Sequence, residues 1–445
     1  MLKTLLTSLS LVVGLLCQAA ITVGGGRWVE IKPSATSGLE SVFVTENASE
    51  CQLIYSANSS AAASNVRWFS FNAMGGAYAE PINDVSVSGN TSSIQLKEGD
   101  SGYIVEADNR QTAIWVTDYS RHYPTLTSFS ISPDSDCDRV VFSAEGGFDR
   151  ITYYSINGAP TVLSREIKLE YQNLELQDAD GQYDWKQVIT VSLLNDIVGS
   201  FSVPAPLCNT QFTLFGDRFL ELWGDPIAIS SGYYEARKVE AKTWATQGER
   251  NNDNEQNASA SSGLGGSAPV DITFYAVPTD AVMWGEWQFS TTEDFEDVEN
   301  RFTDLIFTYT FRDAGTTYVR FMCADATGDC NYESETYVVN VGESKLLCPN
   351  AFSPQNEDGI NDEWKVSYSS LISFDCHIFN RWGKELFHTT NPAVGWDGKV
   401  GGKFVPSGVY FYVIKAEGAD GKKYNLSGDI NIVGSKLRPT YSTEE

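Results

Sequence analysis

Histidine is nearly missing from this chain: there are three in 445 residues, His122, His377 and His388. Serine and cysteine nucleophiles of the triad type need an imidazole base, and none of the three stands beside a nucleophile motif. There is no HExxH, GxSxG, P-loop or dinucleotide fingerprint. Basic residues are scarce too, 31 Lys and Arg against 58 Asp and Glu for a net charge of −27. That balance argues against nucleic acid and anionic lipid as partners, whose phosphates require Lys and Arg. Beyond the N-terminus no stretch approaches the ~18 apolar residues of a membrane-spanning helix. Helical periodicity is hard to find, and no CxxC or Cys/His spacing suggests structural zinc. A glycosidase needs only two carboxylates, but such sites sit in larger folds than this chain's apparent modules of about 75–120 residues. The expectation is no enzyme.

What is present is β sequence, punctuated by turns. Met1-Leu-Lys3, the apolar run Leu5–Cys17 and the small Ala19 and Ala20 make residues 1–20 a secretory signal peptide. Cys17 lacks the small residue usual before a lipidated cysteine. Residues 21–124 carry short β-branched and aromatic runs such as Gly26–Ile31, Ser41–Val44 and Val66–Phe71 at sandwich spacing. Cys51 and Trp68 there resemble an immunoglobulin-like layout without its second cysteine. Residues 125–245 read as a second β-sandwich. The Asn-, Ser- and Gly-rich stretch 246–268 has too little apolar content to bury a core and predicts a flexible linker. Residues 269–344, with Trp284-Gly-Glu-Trp287 and Tyr309-Thr-Phe311, resemble a PKD-type sandwich.

The last quarter, 345–434, carries six ordered motifs. They are Pro349, Asn350, Phe352 and Pro354; Asp358, Gly359, Asn361 and Asp362; Asn380-Arg381-Trp382-Gly383; Trp396-Asp397-Gly398; Pro406, Gly408 and Tyr410; and Gly428 with Ile430. The residues alone predict strands over 408–415 and 424–433 joined by a turn at Gly418–Gly421, with Phe374, Cys376 and Ile378 on one face of another strand. The string closely resembles the gliding-motility-associated C-terminal domain, the type B sorting domain of Bacteroidetes proteins exported by type IX secretion. That resemblance implies a protein delivered to the outer membrane or cell surface, with the secretion machinery as partner and these residues as its recognition and folding motif. Two departures stand out: Gln355-Asn356-Glu357-Asp358-Gly359 replaces the family's Asn-Gly-Asp-Gly, and a tail, 435–445, follows the last strand.

Of the 31 basic and 58 acidic residues, 10 and 12 fall from Leu346 onward, leaving 21 and 46 upstream. The acidity therefore belongs to the upstream modules, where solubility outside the cell explains it. Export permits disulfides. Cys323 with Cys330 is the preferred pair, and Cys348 with Cys376 and Cys137 with Cys208 are further plausible pairs, which together would leave Cys51 unpaired. No cofactor is expected, with calcium at Asn356, Asp358 and Asp362 or at Asp178–Asp184 the exception weighed against ordinary turn chemistry. Trp68, Trp115, Trp287, Trp382 and Trp396 are expected in cores, and Trp185 and Trp223 at the surface. The fold expected is all-β, tandem Ig-like and PKD-like sandwiches with a C-terminal sorting sandwich. The function expected is adhesion, or binding of a glycan or protein ligand, at the cell surface. A structural or spacer component of a gliding-type assembly is the alternative, and an embedded hydrolase comes third.

Overall fold

A computed structural model describes residues 21–433 except 108, 262, 356 and 357. The expected signal peptide, with Cys17, the tail 435–445 and the calcium candidate Asn356 lie outside the described residues. The chain is all-β, as expected: its α-helices among the described residues are the single turns Ser60–Ala63 and Arg218–Trp223. Among the described residues no helix is long and apolar enough to cross a membrane. The strands gather into two compact units, one of residues up to Asn173 with Gln187–Ala236, the other of Leu174–Lys186 with the chain from Arg237.

The first unit holds two sandwiches that share packing. In the first, a sheet ordered Ile21–Gly24, Gln52–Ser56, Thr91–Gln95, Ser86–Ser88 faces a six-stranded sheet that includes Ser41–Thr45, Arg110–Asp118, Ser101–Ala107 and Arg67–Phe71. Cys51, Leu53, Trp68, Val105 and Val116 fill the space between them. The other face of the six-stranded sheet is covered as well: Val42, Val44, Phe71 and Trp115 pack against Ile151, Leu163, Phe219 and Leu220 of the following module. This explains why Ser41–Thr45 is buried at every position and why it shows no polar alternation. The second sandwich closes around Phe129, Phe142, Phe148, Leu169 and Phe212.

In the second unit, a sheet ordered Ala241–Gln247, Val270–Pro278, Ile306–Phe311 opposes one built on Tyr337–Val341, Gly315–Ala324 and Trp284–Ser290, with Phe274, Trp287 and Phe321 between. The boundary expected at 245 is displaced. Ala241–Gln247 pairs along its length with Val270–Pro278, so 246–268, expected as a linker between modules, is a loop within the third sandwich. Its residues Leu264–Gly266 add a parallel strand to Tyr337–Val341.

The C-terminal module is a five-stranded sheet ordered Ala351–Phe352, Lys423–Ile432, Gly408–Gly418, Leu371–Phe379, Glu385–Thr389. The hairpin turn falls where Gly418–Gly421 predicts, with the Gly421 amide donating to the Gly418 carbonyl at 2.9 Å. Alternation along Leu371–Phe379 buries Phe374, Cys376 and Ile378. It therefore turns Asp375 and His377 to the opposite face.

Candidate functional site

The motif residues of the C-terminal module divide by burial into a scaffold and a displayed surface. Trp396 is fully buried, its indole N–H donating to the Lys399 carbonyl at 3.2 Å. Its backbone exchanges hydrogen bonds of 2.9 and 3.1 Å with Trp364, and its ring meets Phe352 and Tyr410 at 5.6 and 5.4 Å. Gly398 holds φ at +70°, and a Cβ there would lie 2.8 Å from Pro354 Cγ, so only glycine lets the two chain segments touch. The Tyr410 hydroxyl donates to the Pro406 carbonyl at 2.7 Å, and burial pushes its phenol pKa up. Phe352, Pro354, Trp396, Gly398, Tyr410 and Ile430 are therefore folding residues, and Gly428 sits opposite Tyr412 in the central pairing.

Arg381 and Trp382 behave otherwise. Expected in the core, Trp382 is 76% exposed. The turn that carries it is closed by its own polar groups. The Gly383 amide donates to the Asn380 carbonyl at 3.0 Å and the Asn380 amide to the Lys384 carbonyl at 3.0 Å. The Asn380 side-chain oxygen accepts from the amides of Trp382 and Lys384, both at 3.0 Å, an Asx turn, and Gly383 supplies the positive φ of +79°. With the backbone satisfied locally, the two side chains stack on each other, the guanidinium 4.3 Å from the indole centroid. Beneath them lies a groove of about 620 Å³ lined by Asn380, Leu386, Pro406, Gly408, Tyr410 and Phe411 among others, with no carboxylate in its lining. Val409 and Phe411 are 47% and 43% exposed. An apolar floor with one cation at the rim suits an extended apolar or aromatic segment bearing negative charge.

The remaining motif residues are at the surface apart from Asp362, which is half-buried. Pro349 and Asn350 are exposed, and the Pro349 carbonyl accepts the Trp364 indole N–H at 2.7 Å. At the proposed calcium turn, Asp358 accepts the Ile360 amide at 2.9 Å and Asp362 the Gly359 amide at 2.8 Å. Asn361 holds a positive φ of 55° and gives its carbonyl to the Ser353 amide at 2.8 Å. These are the hydrogen bonds of a turn, and among the described residues Asp362 Oδ1 is buried without a hydrogen-bond partner. In Asp178–Asp184, Asp178 likewise accepts the Gly181 amide at 2.8 Å. Asp397 accepts the Lys399 amide at 3.0 Å.

The cysteine expectations need correction. Cys323 keeps its thiol whereas Cys330 is disulfide-bonded, so the preferred bridge between them is not formed. Cys137 is also disulfide-bonded. Cys348 and Cys376 are both free thiols, and burial pushes the Cys376 pKa to about 12, which keeps it protonated and unreactive. Cys51 is a free thiol as well. Among the tryptophans, Trp68, Trp115 and Trp287 are buried, while Trp185 and Trp223, expected at the surface, are half-buried.

Residues 346–432 match the CHU_C type IX secretion signal domain family, and residues 130–231 match a fibronectin type III domain family. No curated protein matches the chain. Among solved structures, a tetra-tandem repeat from the extending region of a large adhesion protein aligns at 11% identity over 87% of this chain and 97% of that one, with a TM-score of 0.18. Dimeric latent PorU from Porphyromonas gingivalis aligns at 10% identity over 74% and 36% with a TM-score of 0.15. Drosophila N-cadherin EC1-4 aligns at 8% identity over 83% and 92% with a TM-score of 0.17. The C-terminal module is thus a type IX secretion signal domain, preceded by tandem β-sandwich modules that include one of fibronectin type III kind.

Proposed function

We propose that this chain is a cell-surface binding protein, exported and retained through its C-terminal module, in which Arg381 and Trp382 over the apolar groove form the surface that the secretion machinery reads. The upstream sandwiches carry a non-catalytic adhesion or ligand-binding role. The carrying observation is the 76% exposure of Trp382 inside a motif whose other tryptophan is fully buried. Leaving a large indole in water forgoes roughly 2 kcal/mol or more of burial, and the Asn380 turn holds it there.

The experiment is surface proteolysis and fractionation of cells expressing Trp382→Ala, with Trp396→Ala as the folding comparison. Trp382→Ala should leave the melting temperature essentially unchanged and cut surface display several-fold, with protein accumulating in the periplasm. Trp396→Ala should lose both, because deleting a buried indole costs about 3–5 kcal/mol. Normal display of a stable Trp382→Ala chain would sink the assignment of the groove, and normal display after removing the whole module would sink its role in export.

A further inference from the structure

Two of the chain's three histidines are brought face to face by strand register. His377 on Leu371–Phe379 pairs directly with His388 on the edge strand Glu385–Thr389, and their rings stack at 4.3 Å with 9° between planes. Asp375 lies two residues before His377 and so shares its face. Its Oδ1 is 2.8 Å from His388 Nε2 and 3.3 Å from His377 Nε2. On the far side of the ring, His377 Nδ1 is 2.8 Å from Glu385 Oε2. Donating that N–H to Glu385 leaves Nε2 with its lone pair aimed at the shared point, the arrangement that second-shell carboxylates give metal-bound histidines.

We propose that Asp375, His377 and His388 form a surface site for a divalent first-row transition ion of the zinc class, with Glu385 orienting His377. The three ligand atoms already lie within 4.8 Å of one another. A tetrahedral ion with bonds of 2.0–2.2 Å separates its ligands by roughly 3.3–3.6 Å, so side-chain rotation closes the site without moving the strands. Two imidazoles and one carboxylate select zinc, copper or nickel over the oxygen-seeking calcium and magnesium. The ligand side chains are 31–45% exposed, which leaves the fourth position to water. The third histidine, His122, lies elsewhere, its two ring nitrogens held by Asp100 and Asp149 at 2.9 and 2.5 Å. None of the three ligands lines the Arg381–Trp382 groove, so this site stands apart from the proposed export surface.

The test is titration of the untagged, chelator-stripped full chain with zinc by calorimetry, and with cobalt(II) by visible absorption. One equivalent should bind without a thiolate charge-transfer band. His388→Gln should weaken binding at least about 100-fold, and Glu385→Gln about tenfold, both with an unchanged metal-free melting temperature; Asp375→Asn serves if either melts early. Calcium at about 1 mM should give no response. The proposal is overturned if zinc fails to bind at that concentration, if His388→Gln and Asp375→Asn bind as the parent does, or if the cobalt spectrum reports thiolate ligands.

Discussion

At the scale of single residues, the most demanding group is Arg165, fully buried with Asp217 at 2.7 Å, also fully buried. A buried guanidinium is tolerated only when its donors are all matched. Here it also reaches the Asp149 carbonyl and carboxylate at 2.9 and 2.8 Å, the Tyr119 hydroxyl at 3.0 Å and the His122 carbonyl at 2.8 Å. Tyr119 and His122 come from the end of the first sandwich, and Asp149, Arg165 and Asp217 from the second, so the network ties the two together. His122 gives it a pH dependence. Burial lowers its pKa, but the hydrogen bonds and charges of Asp100 and Asp149 outweigh that and raise it above 6.5. A proton therefore binds the folded state more tightly than the unfolded one. The stabilisation is full below about 6.5 and is lost as pH climbs through the raised folded value. Urea unfolding of the first unit should show the parent losing stability relative to His122→Gln as pH rises above 6.5; parallel profiles would refute it. None of this could be read from sequence, where His122, Asp149 and Arg165 are isolated letters whose meeting depends on tertiary register. The His377–His388 pair escaped for the same reason, since cross-strand register, not a ligand spacing, joins them.

At the scale of elements, the strands were legible and the loop was not. Alternation found Leu371–Phe379, and turn chemistry found the hairpin at Gly418–Gly421, because both signals are local. Residues 246–268 misled because composition reports only what a segment can bury, and this one is held by polar pairing. The Asn254 amide group donates to the Val366 and Pro392 carbonyls, both at 2.8 Å. The Tyr368 amide donates to the Asn254 carbonyl at 3.0 Å and the Gln256 amide to the Tyr368 carbonyl at 2.7 Å. An Asn-rich stretch binds backbone as readily as it turns. Asn254→Ala removes two bonds and leaves two carbonyls without those donors, so it should destabilise the second unit by about 1–3 kcal/mol in chemical denaturation. Asp253→Ala, which loses only the Lys365 pair with side chains 30% and 76% exposed, should change little. Equal effects from the two would show that the loop is not docked through Asn254. Trp382 marks the other limit of sequence: the motif said that an indole was required, and only the Asx turn beneath it shows on which side of the surface it lies.

At the scale of the whole molecule, the export module is not a detachable tag. Ser370 is fully buried, its amide donating to Ser267 Oγ at 2.7 Å while its hydroxyl accepts the Ala268 amide at 3.2 Å. The Ala314 amide donates to the Ala419 carbonyl at 3.0 Å, and Ala419 and Ile372 pack into the core of the third sandwich. A chain cut before Leu346 loses these partners together with the secretion signal. Amide hydrogen exchange separates the two losses. In the truncated chain, Ala268, Ala314 and residues 252–256 should exchange at least about tenfold faster than in the full chain, corresponding to about 1.4 kcal/mol of lost local protection. The strands around Trp287 should stay protected. Unchanged rates at Ala268 and Ala314 would mean that the third sandwich is complete without its neighbour. Truncation would then be a clean test of export, whereas faster exchange makes the point substitution Trp382→Ala the decisive one.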